Sequence, residues 1–158
     1  MPALNEGETI YEVLKSIPER LFDFSTIELL VVNDGSNDNT TSESVRAGAT
    51  IINHNYNKGV GSAFQTALHY ALKVNADILV SIDADGQFDV NQIEEMVMPI
   101  LNNQADFAIG NRFSAGKPDK MPKIKFWGNI QISRIVSFVG NSKILDASCG
   151  FRAYSKDC

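Results

Sequence analysis

Residues 77–87 read Asp-Ile-Leu-Val-Ser-Ile-Asp-Ala-Asp-Gly-Gln, and this stretch decides the fold of the chain. It begins with a short, mostly apolar run, which predicts a buried strand over residues 77–82. Two carboxylates, Asp83 and Asp85, follow that strand directly. In sheets of mostly parallel strands, ligands bind beyond the carboxyl ends of the strands. This edge is therefore the first candidate for a functional site.

Helices and strands alternate on both sides of this stretch. The first predicted helix begins at Asn5, because Glu8 stands three residues later, as in a capping box. Apolar residues spaced three and four apart predict further helices over residues 60–72, 90–101 and 126–139, and a weaker, short helix is predicted over residues 40–47. Short apolar runs predict strands over residues 28–32, 49–53 and 106–109. The alternation predicts one domain over residues 1–158, a three-layer α/β/α fold with a mostly parallel central sheet.

Composition narrows the class of protein. The net charge of −5 argues against nucleic acid as the main partner, since nucleic-acid binders usually carry a basic face. Two cysteines without metal-binding spacing favour a reduced, cytoplasmic protein. No apolar window of about 18 residues predicts a membrane-spanning helix, and no signal peptide is visible.

Asp83 and Asp85 are candidate metal ligands. Oxygen ligands suit Mg²⁺ or Mn²⁺, and the amide oxygen of Gln87 is a candidate third ligand. A metal at this point would neutralise a nucleoside diphosphate leaving group. The alternative is a polar turn whose aspartates cap the next helix.

A second polar cluster surrounds Asp34 and Gly35, after the strand over residues 28–32. A carboxylate there can accept hydrogen bonds from a nucleobase or a ribose, and the glycine permits a tight turn. Lys58 and Gly59 open the helix over residues 60–72, where backbone N–H groups favour anions. The alternative at both places is a plain turn followed by a helix cap.

The remaining candidates are less specific. Phe64 stands where a dinucleotide fingerprint needs its third glycine, which argues against NAD. Arg112 and Arg152 carry forked donors suited to phosphate, with surface ion pairs as the alternative. His54 and His69 match no ligand spacing and are interpreted as structural.

Four motifs occur in a fixed order: Pro-Ala-Leu-Asn-Glu at 2–6, Val-Asn-Asp-Gly-Ser at 32–36, Asp-Ala-Asp-Gly-Gln at 83–87 and Cys-Gly-Phe-Arg at 149–152. Together they resemble the GT-A fold glycosyltransferase family 2, and most closely its polyprenyl-phosphate (dolichol-phosphate mannose synthase-like) branch. That family usually has an apolar strand before the first motif, and the branch usually continues beyond the last, so the resemblance implies a chain truncated at both ends.

The resemblance implies a role for each matching residue. Asp83, Asp85 and Gln87 would hold the metal. The nucleotide-sugar would be bound by Pro2, Glu6, Asp34, Gly35, Lys58, Gly59, Asp83, Ala84 and Asp85. The acceptor phosphate would be bound by Arg112, Lys125, Asn129 and Arg152. Catalysis would involve Asp85, Arg112 and Asp146.

The function implied is metal-dependent transfer, with inversion, of a sugar from a UDP- or GDP-sugar to a polyprenyl (dolichyl or undecaprenyl) phosphate. Some related enzymes place a catalytic aspartate immediately before the Phe-Arg pair, where this chain has Gly150. A phosphate acceptor is already ionised and needs no base. The alternatives are a polysaccharide or protein glycosyltransferase with a hydroxyl acceptor and Asp146 as base, or an inactive nucleotide-sugar-binding domain.

A basic segment containing Lys117, Lys120, Lys123 and Lys125 precedes the apolar pair Phe126 and Trp127. This pattern fits a peripheral contact with an anionic membrane, at the cytoplasmic face. A solvated loop followed by an ordinary core helix is the alternative.

Overall fold

The computed structural model describes residues 1–22, 26–86, 88–111, 113, 123–139 and 144–158, and only the backbone of residues 123–125 and 139. The strands are β1 (Pro2–Ala3), β2 (Leu30–Asn33), β3 (Thr50–Asn53), β4 (Ile78–Ser81), β5 (Phe107–Ile109) and β6 (Arg152–Ser155). The helices are α1 (Ile10–Ser16), α2 (Thr40–Arg46), α3 (Val60–Lys73), α4 (Ile93–Leu101) and α5 (Lys123–Val139), and a 3-10 turn at Val90–Gln92 precedes α4.

The strands pair into two sheets of three. The first sheet has the order β1-β2-β3 and is parallel, with Pro2 opposite Val32 and Val32 opposite Ile52. The second has the order β4-β6-β5, and β6 is antiparallel to both neighbours. β4 and β5 therefore run in the same direction. The predicted α/β class and helix-strand alternation are confirmed, whereas the reversed strand β6 was not predicted.

Neighbouring residues of β2 show how the layers are built. Val31 and Val32 are both fully buried, and successive side chains of a strand point to opposite faces. Val31 belongs to a core cluster with Ile10 and Leu14 of α1. Val32 instead packs with Ala63 and Ala67 of α3. This sheet is thus covered by helices on both faces, as the three-layer prediction requires.

The predicted start of the first helix was wrong. α1 begins at Ile10, with Thr9 as its N-cap residue. Asn5 has a positive φ of 56°, and its side-chain oxygen accepts a hydrogen bond from Asn37 N–H at 2.9 Å. Asn5 therefore belongs to a turn bonded to a distant loop, a contact that a local capping pattern does not reveal.

A cavity of about 510 Å³ lies between the two sheets. Leu29 and Leu30 line one side of it, and Leu79 and Val80 line the other. None of the candidate site residues that the structure describes lines this cavity. The truncation of the chain at both ends, which the resemblance implies, stays a prediction. Within the described part of the chain, no helix is both long and apolar enough to cross a membrane.

Candidate functional site

The predicted motifs meet at one rim of the fold. They follow the carboxyl ends of β1, β2, β4 and β5, and β6 begins there because it runs in the opposite direction. Arg152, its first residue, pairs with Ser81 of β4 and with Ile109 of β5. The reversed strand thus brings the Cys-Gly-Phe-Arg motif beside the acidic motif.

The loops after β1 and β2 are joined by hydrogen bonds. Asn5 N–H donates to Ser36 Oγ, and Glu6 N–H donates to Thr40 Oγ1, each at 2.9 Å. Gly7 N–H donates to Asp38 Oδ2 at 2.9 Å. The hydroxyl of Thr40 is the main cause of a lowered pKa at Asp38. These bonds hold the half-buried Glu6 and the buried Asp34 at the same edge.

Asp34 is an enclosed carboxylate of this edge, with a side chain only 5% exposed. Its Oδ1 accepts from Lys58 N–H at 3.0 Å, and its Oδ2 accepts from Gly59 N–H at 2.8 Å. Burial would raise the pKa of Asp34, but the bonds from Lys58, His54 and Gly59 bring it below its ordinary value. Asp34 is therefore ionised at neutral pH.

The two backbone N–H groups just before the first residue of α3 are bonded within the chain. Gly59 is the N-cap residue of this helix, and the N–H groups of Lys58 and Gly59 donate to Asp34 rather than facing solvent. The anion that these groups were predicted to attract is thus the protein's own carboxylate. The side chain of Lys58 stays exposed, with Nζ 5.5 Å from the ring centroid of Tyr56.

Gly35 is required by its surroundings. Its φ is 81°, and a Cβ there would lie 2.6 Å from the carbonyl carbon of Tyr56. No other residue tolerates both conditions, since the left-handed region and close backbone contact each favour glycine. The predicted tight turn after β2 is confirmed.

His54 was interpreted as a structural residue, and the structure places it against Asp34. Its Nδ1 lies 2.6 Å from Asp34 Oδ1, and its Nε2 lies 2.9 Å from Thr66 Oγ1. The signal available in the sequence was its position directly after strand β3, at the rim. Metal-ligand spacing alone does not reveal this position.

The acidic motif is held by α1. Ala84 is buried, and its carbonyl accepts from the hydroxyl of Thr9 at 2.9 Å. Thr9 Oγ1 also lies 3.1 Å from Glu6 Oε2, so one hydroxyl joins two motifs. Asp83 is half-buried and Asp85 is exposed. Thr9 was missed because a threonine after a turn resembles an ordinary helix cap.

The donor set of the acidic motif fits a hard cation. Within the described residues, no group of three or more His, Cys, Asp or Glu side chains is placed to hold a metal. Mg²⁺ is commonly bound through one or two carboxylates, with substrate phosphates and water completing its shell. Asp83 and Asp85 meet that requirement. Gln87 lies outside the described residues.

Gly150 lies against the carboxylate of Asp83. A Cβ at this position would lie 2.1 Å from Asp83 Oδ2 and 2.4 Å from Oδ1. No side chain fits at position 150 while Asp83 keeps this position. The place where some related enzymes carry a base is thus filled by a candidate metal ligand.

Helix α5 holds the segment before β6 through three polar side chains spaced four residues apart. Their oxygens accept from backbone N–H groups of that segment: Asn129 from Ser148, Ser133 from Ala147 and Ser137 from Ile144. Nδ2 of Asn129 is buried and has no hydrogen-bond partner among the residues described. The phosphate contact implied for Asn129 stays a prediction.

Arg152 and Asp146 belong to the same region. Arg152 Nε donates to Cys149 O at 2.7 Å, and one terminal nitrogen donates to Ala147 O at 3.1 Å. A guanidinium has five N–H donors, so three have no partner among the described residues. Asp146 is fully buried and accepts from the hydroxyl of Ser148 at 3.2 Å. Its burial does not suit a base that must reach an acceptor hydroxyl. Arg112 and the side chain of Lys125 lie outside the described residues.

Comparison with known proteins shows the family of the chain. All 158 residues match the model of the family described as glycosyl transferase family 2, and the chain belongs to this family. It is 33% identical over 156 residues to an uncharacterised protein of Methanocaldococcus jannaschii, covering 98% of this chain and 63% of that protein. It is 32% identical over 174 residues to the UDP-N-acetylglucosamine–dolichyl-phosphate N-acetylglucosaminyltransferase of Methanococcus voltae, covering 99% of this chain and 68% of that enzyme.

Among solved structures, the chain is similar to glucosyl-3-phosphoglycerate synthase from Mycobacterium tuberculosis in complex with Mn²⁺ and UDP-glucose. The TM-score is 0.66 at 25% identity, over 99% of this chain and 54% of that protein. The GT-A-like fold is thereby shown. The chain spans about half to two thirds of the length of these relatives.

Proposed function

We propose that this chain is the donor-binding core of an inverting glycosyltransferase, which moves a sugar from a nucleotide-diphosphate sugar to a polyprenyl phosphate. The observation that carries the proposal is the meeting of Asp34, Asp83, Asp85 and Gly150 at one rim. The Methanococcus voltae relative is named for a dolichyl-phosphate acceptor, and a Haloferax volcanii relative, 29% identical, is named a dolichyl-phosphate hexose transferase.

Two parts of the rim would bind the donor: the loop that carries Asp34, and the acidic motif. Asp34, with Gly35 beside it, faces the nucleoside together with Glu6. Asp83 and Asp85 would hold Mg²⁺ or Mn²⁺ next to the diphosphate. When bound, the cation would neutralise the negative charge of the leaving group. Arg112 is proposed as a further phosphate contact, since a guanidinium binds phosphate oxygens in pairs.

The surroundings of Asp83 favour a phosphate acceptor over a hydroxyl acceptor. Gly150 provides no carboxylate, and Asp146 is fully buried. A hydroxyl acceptor would need a base, whereas a phosphate monoester is ionised at neutral pH. Its oxygen forms a bond to the anomeric carbon while the bond from that carbon to the diphosphate breaks on the opposite face. The spare donors of Asn129 and Arg152, with Lys125, would bind the acceptor phosphate.

A peripheral membrane contact is part of the proposal, because the acceptor is a lipid. Helix α5 has exposed apolar side chains: Trp127, Ile132, Ile135, Val136 and Phe138. The basic segment containing Lys117 and Lys120 precedes it in the sequence. Apolar side chains next to lysines suit an anionic bilayer surface. We propose the cytoplasmic face as the site of action.

A transfer assay tests the proposal. Labelled UDP- and GDP-sugars are incubated with Mn²⁺ and either undecaprenyl phosphate, dolichyl phosphate or the free alcohol dolichol. We expect labelled lipid only from a phosphate acceptor. Asp85→Ala should lose the product, and Asp157→Ala, which alters an exposed carboxylate away from the rim, should not.

The alternatives give different results. Transfer to the alcohol that is lost in Asp146→Asn would establish the hydroxyl-acceptor alternative. Donor binding without transfer to any acceptor would establish an inactive nucleotide-sugar-binding domain. Absence of nucleotide binding by the folded protein would refute the proposed donor site.

A further inference from the structure

The carboxylate of Asp34 has little hydrogen-bonding capacity left for a ligand. Two carboxylate oxygens offer about four acceptor positions. Oδ1 is used twice, by His54 Nδ1 at 2.6 Å and by Lys58 N–H at 3.0 Å. Oδ2 is used once, by Gly59 N–H at 2.8 Å. Counting the described residues, one position therefore remains, and it is on Oδ2.

His54 must donate to Asp34, because an ionised carboxylate only accepts hydrogen bonds. The pKa of Asp34 is below its ordinary value, which agrees with an ionised group. The ring is fixed at its other end, where Nε2 lies 2.9 Å from Thr66 Oγ1. His54 is itself only 6% exposed in its side chain, so water does not readily replace it as a donor.

A single acceptor position distinguishes nucleobases. Uracil presents one N–H on its pairing edge, at N3. Guanine presents two adjacent donors, at N1 and N2, which together match both oxygens of a carboxylate. At Asp34, one guanine donor would face the saturated Oδ1 and stay unpaired. An unpaired buried donor costs binding free energy, whereas uracil leaves none.

We propose that His54 is a positioning residue that makes this site selective for a uracil nucleotide over a guanine nucleotide, by occupying Oδ1 of Asp34. This inference rests on the proposed function, since it takes Asp34 as the carboxylate that contacts the base. It predicts that the sugar donor is a UDP-sugar.

Calorimetric titration of UDP and of GDP, each with Mn²⁺, tests the inference on the whole chain. We expect wild-type protein to bind UDP at least about tenfold more tightly than GDP, the size of one hydrogen bond to a charged group. His54→Leu removes the donor to Oδ1 and should bring the UDP-to-GDP affinity ratio close to one. His54→Asn keeps an N–H near the position of Nδ1 and should restore the preference.

Two further variants separate positioning from stability. His69→Leu changes an exposed histidine of α3 and should leave the ratio unchanged. His54→Gln places its amide nearer the position of Nε2, so it should lose the preference even if His54→Leu does not fold. Circular dichroism checks the fold of each variant.

The outcomes separate this inference from the proposed function. Equal binding of UDP and GDP by wild-type protein would overturn the inference and leave the donor site standing. A preference unchanged in folded His54→Leu or His54→Gln would do the same. If neither nucleotide binds the folded wild-type protein, the proposed donor site fails, and the inference fails with it.

Discussion

Replacing Gly150 by alanine should separate metal binding from stability. The new Cβ would lie 2.1 Å from Asp83 Oδ2, whereas ordinary contact begins near 3.4 Å. The carboxylate must therefore move by 3.4 − 2.1 = 1.3 Å. Metal-ligand distances in proteins are held to within about 0.2 Å. The displacement is several times that tolerance, so Asp83 should be lost as a ligand.

We expect Mn²⁺-dependent UDP affinity to fall at least about tenfold in Gly150→Ala, as when groups that orient metal ligands are removed. Stability should change by no more than about 1 kcal/mol, because the contacted atoms belong to one half-buried side chain. Calorimetry with Mn²⁺, and again with EDTA, measures the first quantity. Urea unfolding measures the second.

Gly128→Ala is the matched control, because a Cβ at Gly128 meets no described atom within 4 Å. This variant in α5 should bind UDP as the wild type does and should be no less stable, since alanine favours a helix. Wild-type metal-dependent affinity in Gly150→Ala would refute the reasoning. Either Asp83 does not hold the metal, or the close approach of Gly150 is absent in solution.

Three further predictions follow from the contacts of the rim. The stability that ionised Asp34 provides is present above its unfolded pKa of 3.8 and is lost as the pH falls through its lower folded pKa. The melting temperature between about pH 2 and 6 should therefore depend less on pH in Asp34→Asn than in the wild type. Equal slopes of melting temperature against pH would contradict this. Thr9→Val removes the hydrogen bond to Ala84 and should lower the free energy of unfolding, measured with urea, by about 1 kcal/mol. The affinity for UDP in the presence of Mn²⁺ should fall as well. If neither quantity changes, this bond does not hold the acidic motif. Asn129→Asp keeps an acceptor for Ser148 N–H but replaces the side-chain N–H donor with a negative charge. The KM for the lipid phosphate should therefore rise at least about tenfold, while UDP affinity stays constant. An unchanged KM would remove Asn129 from the acceptor site.

Local patterns were sufficient for the class of fold and for the order of its motifs. Apolar runs and three-to-four spacing are properties of neighbouring residues, so α3 and β3 were predicted to within about one residue. The general rule for strand ends placed Asp34 and Asp83 at one rim, because parallel strands bring their carboxyl ends to the same edge. The ordered motifs then indicated the family that the whole-chain match confirms.

Only the tertiary structure decided which groups at the rim touch. The reversed β6 places Gly150 against Asp83, although 67 residues separate them. The pairing of His54 with Asp34 joins two strand ends 20 residues apart. Such contacts depend on strand register and on how loops dock, and no local pattern encodes either. The sequence by itself therefore determined which chemical groups are available, and the packing of β6, α3 and α5 decided which of them are already occupied by the protein and which are left for a ligand.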